Sequence, residues 1–180
     1  MDEEQVIKVT NHWVKDFVID LNLCPFAGQV FNEKAIHYKV CLEKESQTLL
    51  EILIMEIEYL RQNDSIATGF LIHPNVLNDF SAYNQFFDNI DFVMKGLGFN
   101  GEFQIASFHP EYQFADTLVD AVENFTNRSP YPMLHILRES LVSKAIDSYP
   151  NVEAITQRNI QRMKKIGIKE LESRLSKFKP

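Results

Sequence analysis

The chain has 180 residues and a formal net charge of −7, with 45% apolar and 24% charged residues. These proportions exclude a disordered chain and are typical of a soluble protein, and the length suits one globular domain over residues 1–180. No apolar run reaches the roughly 18 residues that cross a bilayer, and the acidic N-terminus lacks the basic start of a signal peptide. We therefore expect a cytoplasmic protein without a membrane partner.

The cysteine and charge distributions bear on two kinds of metal-bound or cross-linked protein and on nucleic-acid binding. Only Cys24 and Cys41 are present, with no CxxC pair, which argues against a disulfide framework and a cysteine-rich zinc site. Basic residues concentrate in the tail from Arg158 to Pro180, and a basic helix can bind nucleic acid. An acidic protein repels a polyanion overall, so we expect a solvated helix face and no nucleic-acid partner.

Helices and strands alternate along most of the chain. The apolar spacing predicts, in order, helix Glu3–Leu21, strand Ala35–Leu42, helix Ser46–Gln62, strand Ile66–His73, helix Asp79–Leu97, strand Glu102–His109, and helices Ser129–Ser148, Thr156–Ile166 and Ile168–Phe178. The long connection from Pro110 to Asn127 has room for a further helix at Asp116–Phe125. This order favours an α/β fold with a small, mainly parallel three-stranded sheet and about six helices, and a mixed or ferredoxin-like sheet is the alternative.

The second and third predicted strands both end in a His-Pro pair, His73-Pro74 and His109-Pro110. If these strands are parallel neighbours, both histidines emerge at the carboxyl edge of the sheet, where open α/β sheets place their ligands. The histidines therefore predict a site at that edge.

The segment Thr126–Glu139 carries the densest polar chemistry of the chain. We expect Ser129 to be the N-cap of the helix that follows and Pro130 to be its first residue, so that His135 and Arg138 share one helix face. The polar side chains of this segment that are candidate ligand contacts are Asn127, Arg128, Ser129, Tyr131, His135 and Arg138. Because the segment follows His109 closely, it can return over the same sheet edge.

These residues are compatible with three classes of function. The first is an enzyme or ligand-binder for a small anionic molecule, with Arg128 and Arg138 holding a carboxylate or phosphate and His109 and His135 as acid–base groups. His73 would be a further ligand contact. The second is a metal-dependent protein with a His73/His109/His135 centre, although no HxH or HExxH spacing supports it. The third is a non-catalytic interaction module. The sequence does not identify a cofactor.

Cys24 is a candidate nucleophile because it precedes proline at the end of the first predicted helix. Its neighbours Leu23, Phe26 and Ala27 are apolar, and burial among them would raise the pKa of the thiol and make it inert. Both interpretations remain open at this point.

Four stretches of the sequence carry a resemblance to a known family: Asn22–Ala27, Ile72–Pro74, Phe103–Phe114 and Thr126–Glu139. They resemble an uncharacterised family of bacterial and plastid proteins known as domain of unknown function 1415, and the resemblance extends from Trp13 to about Gly167. The last two stretches are long and specific. The family implies no reaction that transfers to this chain, but it implies that the segments chosen on physical grounds, including the one with Cys24, are its signature segments.

Overall fold

A computed structural model describes residues 2–148, 151 and 154–178. The described elements are α1 (Glu3–Trp13), continued by a π-helical stretch (Val14–Ile19), α2 (Ala27–Asn32), β1 (Ile36–Val40), α3 (Ser46–Arg61), β2 (Thr68–Ile72), α4 (Phe80–Gly96), β3 (Phe103–Phe108), a 3-10 helix (Val122–Thr126), β4 (Met133–Arg138), α5 (Glu139–Ser148), α6 (Ala154–Ile166) and α7 (Ile168–Ser176). None of these helices has the length and apolar character needed to cross a membrane.

The four strands form one mixed sheet in the order β1-β2-β4-β3. The β1–β2 pair is parallel, whereas β4 is antiparallel to both of its neighbours. The α/β class is therefore confirmed, but the prediction of three mainly parallel strands is wrong. Because β4 separates β2 from β3, the two His-Pro strands run in the same direction without being neighbours.

The fourth strand replaces the first half of the predicted helix Ser129–Ser148. Residues 133–138 pair on one side with β2 and on the other with β3, and only α5 is helical. Ser129 is not a helix N-cap, since its hydroxyl donates to the Tyr131 carbonyl oxygen at 2.7 Å. The Met133–Leu137 run is apolar at four of five positions, a pattern that fits a buried strand as well as a helix. Pairing on both edges makes it a strand.

Two hydrophobic cores cover the two faces of the sheet. One core contains Trp13, Phe17 and Phe70 with residues of α6 and α7, and the other contains residues of α3 and α4 with Leu71, Leu134 and Ile136. We call these the Trp13 face and the α4 face. Successive β4 residues alternate between them, as strand geometry requires.

The α3 helix lies very close to β2 at Gly69. A Cβ atom at this position would be 3.3 Å from the Leu60 Cδ1 atom, tighter than ordinary van der Waals contact. A glycine inside a strand often marks such a close approach. Gly69 therefore sets how closely α3 packs against β2 on the α4 face.

Candidate functional site

The polar segment Asn127–Pro132 lies between the two His-Pro strand ends. The His73 amide donates to the Pro132 carbonyl oxygen at 3.0 Å, and the His109 amide donates to the Asn127 carbonyl oxygen at 3.2 Å. The Ser129 amide donates to the His109 carbonyl oxygen at 3.4 Å. The expectation that this segment returns to the edge with both histidines is therefore correct, although the segment arrives as an extension of β4 and not as a helix.

His73 and His109 both contact Tyr83, a residue of α4. The ring centroids of His73 and Tyr83 are 5.8 Å apart, and those of His109 and Tyr83 are 5.0 Å apart. The exposed fraction is 0% for both histidines and 1% for Tyr83. We call these three residues the histidine–tyrosine cluster, and it lies at the carboxyl ends of β2 and β3.

The Tyr83 hydroxyl joins the backbones of two strands at this edge. It donates to the Met133 carbonyl oxygen at 2.8 Å and accepts from the Phe108 amide at 3.1 Å. Burial raises the pKa of Tyr83, so the hydroxyl stays protonated and keeps both bonds. Sequence analysis missed this role, because Tyr83 lies among the apolar positions of its helix. The available signal was a hydroxyl at a core position.

The hydrogen bonds of His73 leave one ring nitrogen without a partner. Its Nδ1 lies 2.9 Å from the Val76 carbonyl oxygen, so Nδ1 carries the proton and donates. Its Nε2 is buried and has no hydrogen-bond partner among the described residues. Burial lowers the pKa of His73 to about 4, so the ring is neutral at pH 7 and Nε2 presents a lone pair.

His109 has the opposite tautomer and is fully used by the backbone. Its Nδ1 accepts from the Glu111 amide at 3.0 Å, so Nε2 carries the proton and donates to the Leu77 carbonyl oxygen at 3.2 Å. Burial also lowers the pKa of His109. This ring therefore connects the loop that contains Leu77 with the loop that contains Glu111. A ligand must displace one of these two hydrogen bonds to bind a ring nitrogen of His109.

Arg128 lies beside this edge without a carboxylate partner. Its guanidinium donates to the carbonyl oxygens of Val119 at 2.6 Å and Tyr112 at 3.4 Å, and stacks on the Phe125 ring at 4.4 Å. No carboxylate of the described residues lies within 4.0 Å of it. Burial lowers the pKa of Arg128. Glu172 and Glu111 act on the guanidinium only from a longer distance, and its hydrogen bonds are to carbonyl oxygens.

Three other predicted contacts of this segment make local hydrogen bonds or pack in the core. The side-chain amide of Asn127 donates to the Ser107 carbonyl oxygen at 3.0 Å, and the Ser129 hydroxyl donates to the Tyr131 carbonyl oxygen. The Tyr131 ring is buried in the core of the Trp13 face. These residues fix the path of the segment between the two histidines.

Arg138 lies at the opposite edge of the sheet, so the prediction that it shares a site with Arg128 is wrong. Its guanidinium donates to the carbonyl oxygens of Ile66 at 2.9 Å and Asn63 at 3.1 Å, and to that of Leu60. It also stacks on the Phe103 ring at 5.4 Å. Arg138 therefore holds the carboxyl end of α3 and the turn that follows it.

His135 lies on the Trp13 face, and the sheet separates it from the histidine–tyrosine cluster. Its ring stacks on Phe70 at 4.1 Å, and its Nε2 lies 2.7 Å from the Thr68 hydroxyl oxygen. Burial lowers the pKa of His135 to about 3. The predicted helix face shared by His135 and Arg138 does not exist, because both residues belong to β4 and their side chains emerge on opposite faces.

The three histidines do not form the alternative metal centre. His73 and His109 lie on the α4 face and His135 on the other. Within residues 2–148, 151 and 154–178, no three His, Cys, Asp or Glu residues form a group that could hold a metal ion.

Cys24 is exposed, so its thiol is not buried among the apolar neighbours, while Cys41 is buried. The turn that carries Cys24 is attached to α6, since the Asn159 amide donates to the Leu23 carbonyl oxygen at 2.7 Å. No hydrogen bond or ring contact of the described residues connects Cys24 with the three histidines. The structure therefore does not bring this thiol into the edge site.

Two surface clefts involve other parts of the chain. One, of about 610 Å³, lies between the N-terminal helix and α7, and is lined by His12, Asp16, Asp20, Glu170, Arg174, Lys177 and Phe178. The other, of about 470 Å³, lies beside β1 and is lined by Asn11, Phe31, Asn32, Lys34, Ile36 and Tyr38. Neither includes a residue of the histidine–tyrosine cluster.

Comparison with known proteins yields a family without an assigned reaction. A family model described as "Protein of unknown function (DUF1415)" matches residues 5–173, which include both His-Pro strand ends and the whole polar segment. No curated protein and no solved structure matches the chain. The match covers almost the entire length, and the chain therefore belongs to the DUF1415 family.

Proposed function

We propose that this protein binds a small anionic molecule at the sheet edge formed by His73, His109 and Arg128, and that His73 is the acid–base group of the site. The observation that carries the proposal is the buried Nε2 of His73, which has no hydrogen-bond partner among the described residues. Buried polar atoms are nearly always hydrogen-bonded, and an exception deserves an explanation. A bound anion supplies one, because it accepts a hydrogen bond from Nε2 once the ring is protonated.

The tautomer of His73 suits such a role. The Val76 carbonyl fixes the proton on Nδ1 and so keeps the Nε2 lone pair available. A backbone acceptor on one ring nitrogen is a common way to orient a functional imidazole through the other. With a pKa of about 4 the ring is a poor base in the ligand-free protein. A bound anion nearby would raise that pKa, because an opposite charge favours the protonated ring.

The charge of Arg128 supports an anion as the ligand. Its guanidinium is half-buried without a carboxylate within 4.0 Å among the described residues, and two carbonyl contacts leave other N–H groups available. Arginine is well suited to a carboxylate or phosphate because of its planar fork of donors. Arg138 has no part in this proposal, since it binds the end of α3.

We infer that the connection 110–127 must move to admit a ligand, since it is attached to this edge by the bond from the Tyr112 amide to the His109 carbonyl oxygen. Arg128 holds this connection through the carbonyls of Tyr112 and Val119, and its tip exposes 76% of Leu118 and 69% of Val119. An anion that competes for the guanidinium would release the same connection. Entry of the ligand and opening of the cover are therefore linked through Arg128.

A thermal-shift screen with small carboxylates and phosphate esters tests the proposal. We expect a compound that raises the melting temperature of the wild-type protein, since a ligand of the native state at about 100 times its Kd stabilises by about 2.7 kcal/mol. The shift should be lost in Arg128→Gln and in His73→Phe, which keeps a ring beside Tyr83. Arg174→Gln is the matched control, because Arg174 is a partly exposed arginine that is paired with Asp20 and Glu170.

Proton uptake distinguishes acid–base involvement of His73 from simple binding. Calorimetry of the same compound in two buffers of different ionisation enthalpy should show uptake of a proton by the wild-type protein near pH 6 and none by His73→Phe. A ligand that stabilises wild type, Arg128→Gln and His73→Phe equally would refute the location of the site. A screen in which no anion stabilises the protein would refute the ligand class.

A further inference from the structure

The cleft beside β1 has the size and the chemistry of a small-ligand site, and the anion site proposed above does not use it. Its volume is about 470 Å³, within the range of about 300–1,000 Å³ that is usual for ligand pockets. The described residues that line it combine apolar surface with hydrogen-bond donors and include no Asp or Glu. They are Asn11, Phe31, Asn32, Lys34, Ile36 and Tyr38. We call this the β1 cleft.

Lys34 occupies a backbone position that glycine would fill best. It follows α2 in the left-handed region, with a φ of 55°. Two hydrogen bonds of a Schellman motif form there, from the Lys34 amide to the Phe31 carbonyl oxygen at 3.1 Å and from the Ala35 amide to the Val30 carbonyl oxygen at 3.1 Å. Glycine is usual at such a position, because a Cβ atom makes the left-handed conformation unfavourable. A lysine weakens the turn, which points to a role for its side chain.

The ammonium group of Lys34 has no carboxylate partner at the cleft. No Asp or Glu oxygen of the described residues lies within 4.0 Å of it. The carboxylate of Glu33, its neighbour in the chain, accepts instead from the Gln29 side-chain amide at 2.9 Å. An anionic group in the β1 cleft would therefore meet a cation that no carboxylate already contacts.

Tyr38 brings a neutral hydrogen-bond donor to the same cleft. Burial raises the pKa of Tyr38 to about 12, so the phenol keeps its proton at neutral pH. Its hydroxyl oxygen accepts from the Asn11 side-chain amide at 3.4 Å, and its hydrogen has no acceptor among the described residues. The ring stacks on Phe70 at 5.8 Å, and this contact holds the tyrosine in place.

We propose that the β1 cleft binds a small aromatic carboxylate. The Lys34 ammonium and the Tyr38 hydroxyl donate to the carboxylate, and the side chains of Phe31 and Ile36 pack against the ring. A carboxylate suits the two donors because it only accepts hydrogen bonds. An aromatic body suits the apolar part of the lining, since flat rings stack on one another or meet edge to face. The proposal does not depend on the ligand proposed at the histidine–tyrosine cluster.

Titration of ¹⁵N-labelled protein with benzoate, followed by NMR, tests the site and its chemistry. We expect saturable shifts of the backbone amide signals of Lys34, Ile36 and Tyr38. Benzamide has the same ring and nearly the same size but no charge. It should bind about 3- to 10-fold more weakly, because hydrogen bonds between charged groups are stronger than those to a neutral acceptor.

Lys34→Gly separates the role of the side chain from that of the fold. It removes the ammonium and suits the left-handed backbone, so the variant should melt at the wild-type temperature or above it. Benzoate and benzamide should bind this variant equally. Lys34→Asn should lose the preference too, since asparagine also adopts this conformation. Lys39→Gln is the matched control, because Lys39 is exposed on the same strand and emerges on the other face.

The outcomes also distinguish this site from the one that contains Arg128. The benzoate shifts at the β1 cleft should be unchanged in Arg128→Gln. Shifts confined to signals around Arg128 would assign benzoate to that other site and overturn the present proposal. Equal wild-type affinity for benzoate and benzamide, or a wild-type preference for benzoate in Lys34→Gly, would overturn it as well.

Discussion

Replacing Arg138 by methionine tests whether this arginine stabilises the fold or holds a ligand. Its guanidinium donates to three carbonyl oxygens, those of Leu60, Asn63 and Ile66, at the carboxyl end of α3. Methionine keeps most of the apolar length of the side chain and removes all the donors. If the role of Arg138 is to bind these carbonyls, its replacement should lower the free energy of unfolding.

The size of the effect follows from the number and kind of bonds. A hydrogen bond from a charged donor contributes about 1.5–3 kcal/mol, but these carbonyls lie near the surface and water can replace part of what is lost. We therefore expect Arg138→Met to lower the free energy of unfolding by about 2–4 kcal/mol. For a chain of this size that corresponds to a melting temperature lower by about 5–15 °C.

Urea unfolding followed by circular dichroism measures this difference, with an unchanged m-value if only stability is altered. Arg61→Met is the control, because Arg61 ends the same helix but makes exposed ion pairs with Glu58 and Glu102. Exposed pairs contribute little, so the control should lie close to wild type. A loss for Arg61→Met as large as that for Arg138→Met would refute the reasoning.

Three further predictions concern His73, Tyr83 and the two cysteines. The pKa of His73 is about 4 in the folded protein against 6.5 ordinarily, so the unfolded chain binds more protons between these values. Stability should therefore fall as the pH drops below about 6.5, with a contribution from His73 of about 2 kcal/mol at pH 5 that unfolding of His73→Phe at pH 7 and 5 should lack. Tyr83→Phe should lower the unfolding free energy by about 1–3 kcal/mol in urea, because it unpairs two backbone groups. A thiol reagent should modify Cys24 in the native protein, and Cys41 only after unfolding.

Each of these predictions has its own control. A pH dependence of His73→Phe equal to that of wild type would show that His73 is not the titrating group. Tyr59→Phe changes a tyrosine that is 45% exposed and should have little effect, so equal losses at Tyr59 and Tyr83 would contradict the bridging role of the buried hydroxyl. Native modification of both cysteines would contradict the burial of Cys41.

The sequence located the candidate edge but not the identity of the element that completes it. The His-Pro strand ends and the polar segment were correctly expected to meet, because strand boundaries before proline are local signals. The segment Met133–Arg138 was expected to be helical. That error placed His135 and Arg138 together on one helix face. A short apolar run does not reveal its period, and its state depends on partners that are distant in sequence.

The roles of the polar side chains also depend on partners that are distant in sequence. An arginine in a polar segment can bind a ligand or backbone carbonyls, and only the position of the end of α3 near Arg138 decided in favour of the carbonyls. Tyr83 is buried in the core. Its hydroxyl acquires a role only through the backbones of two strands that the fold brings against it.

What the sequence determined by itself is therefore local: the α/β alternation, the approximate limits of most helices and strands, the family, and the edge that carries His73 and His109. The tertiary structure decided which residues share that edge. In it β4 lies between β2 and β3, His135 lies on the opposite face and Arg138 at the opposite edge, and the Nε2 of His73 has no partner among the described residues. The physical reason is that strand pairing is non-local: the register of β4 against both neighbours fixes the side of the sheet on which each of its side chains emerges.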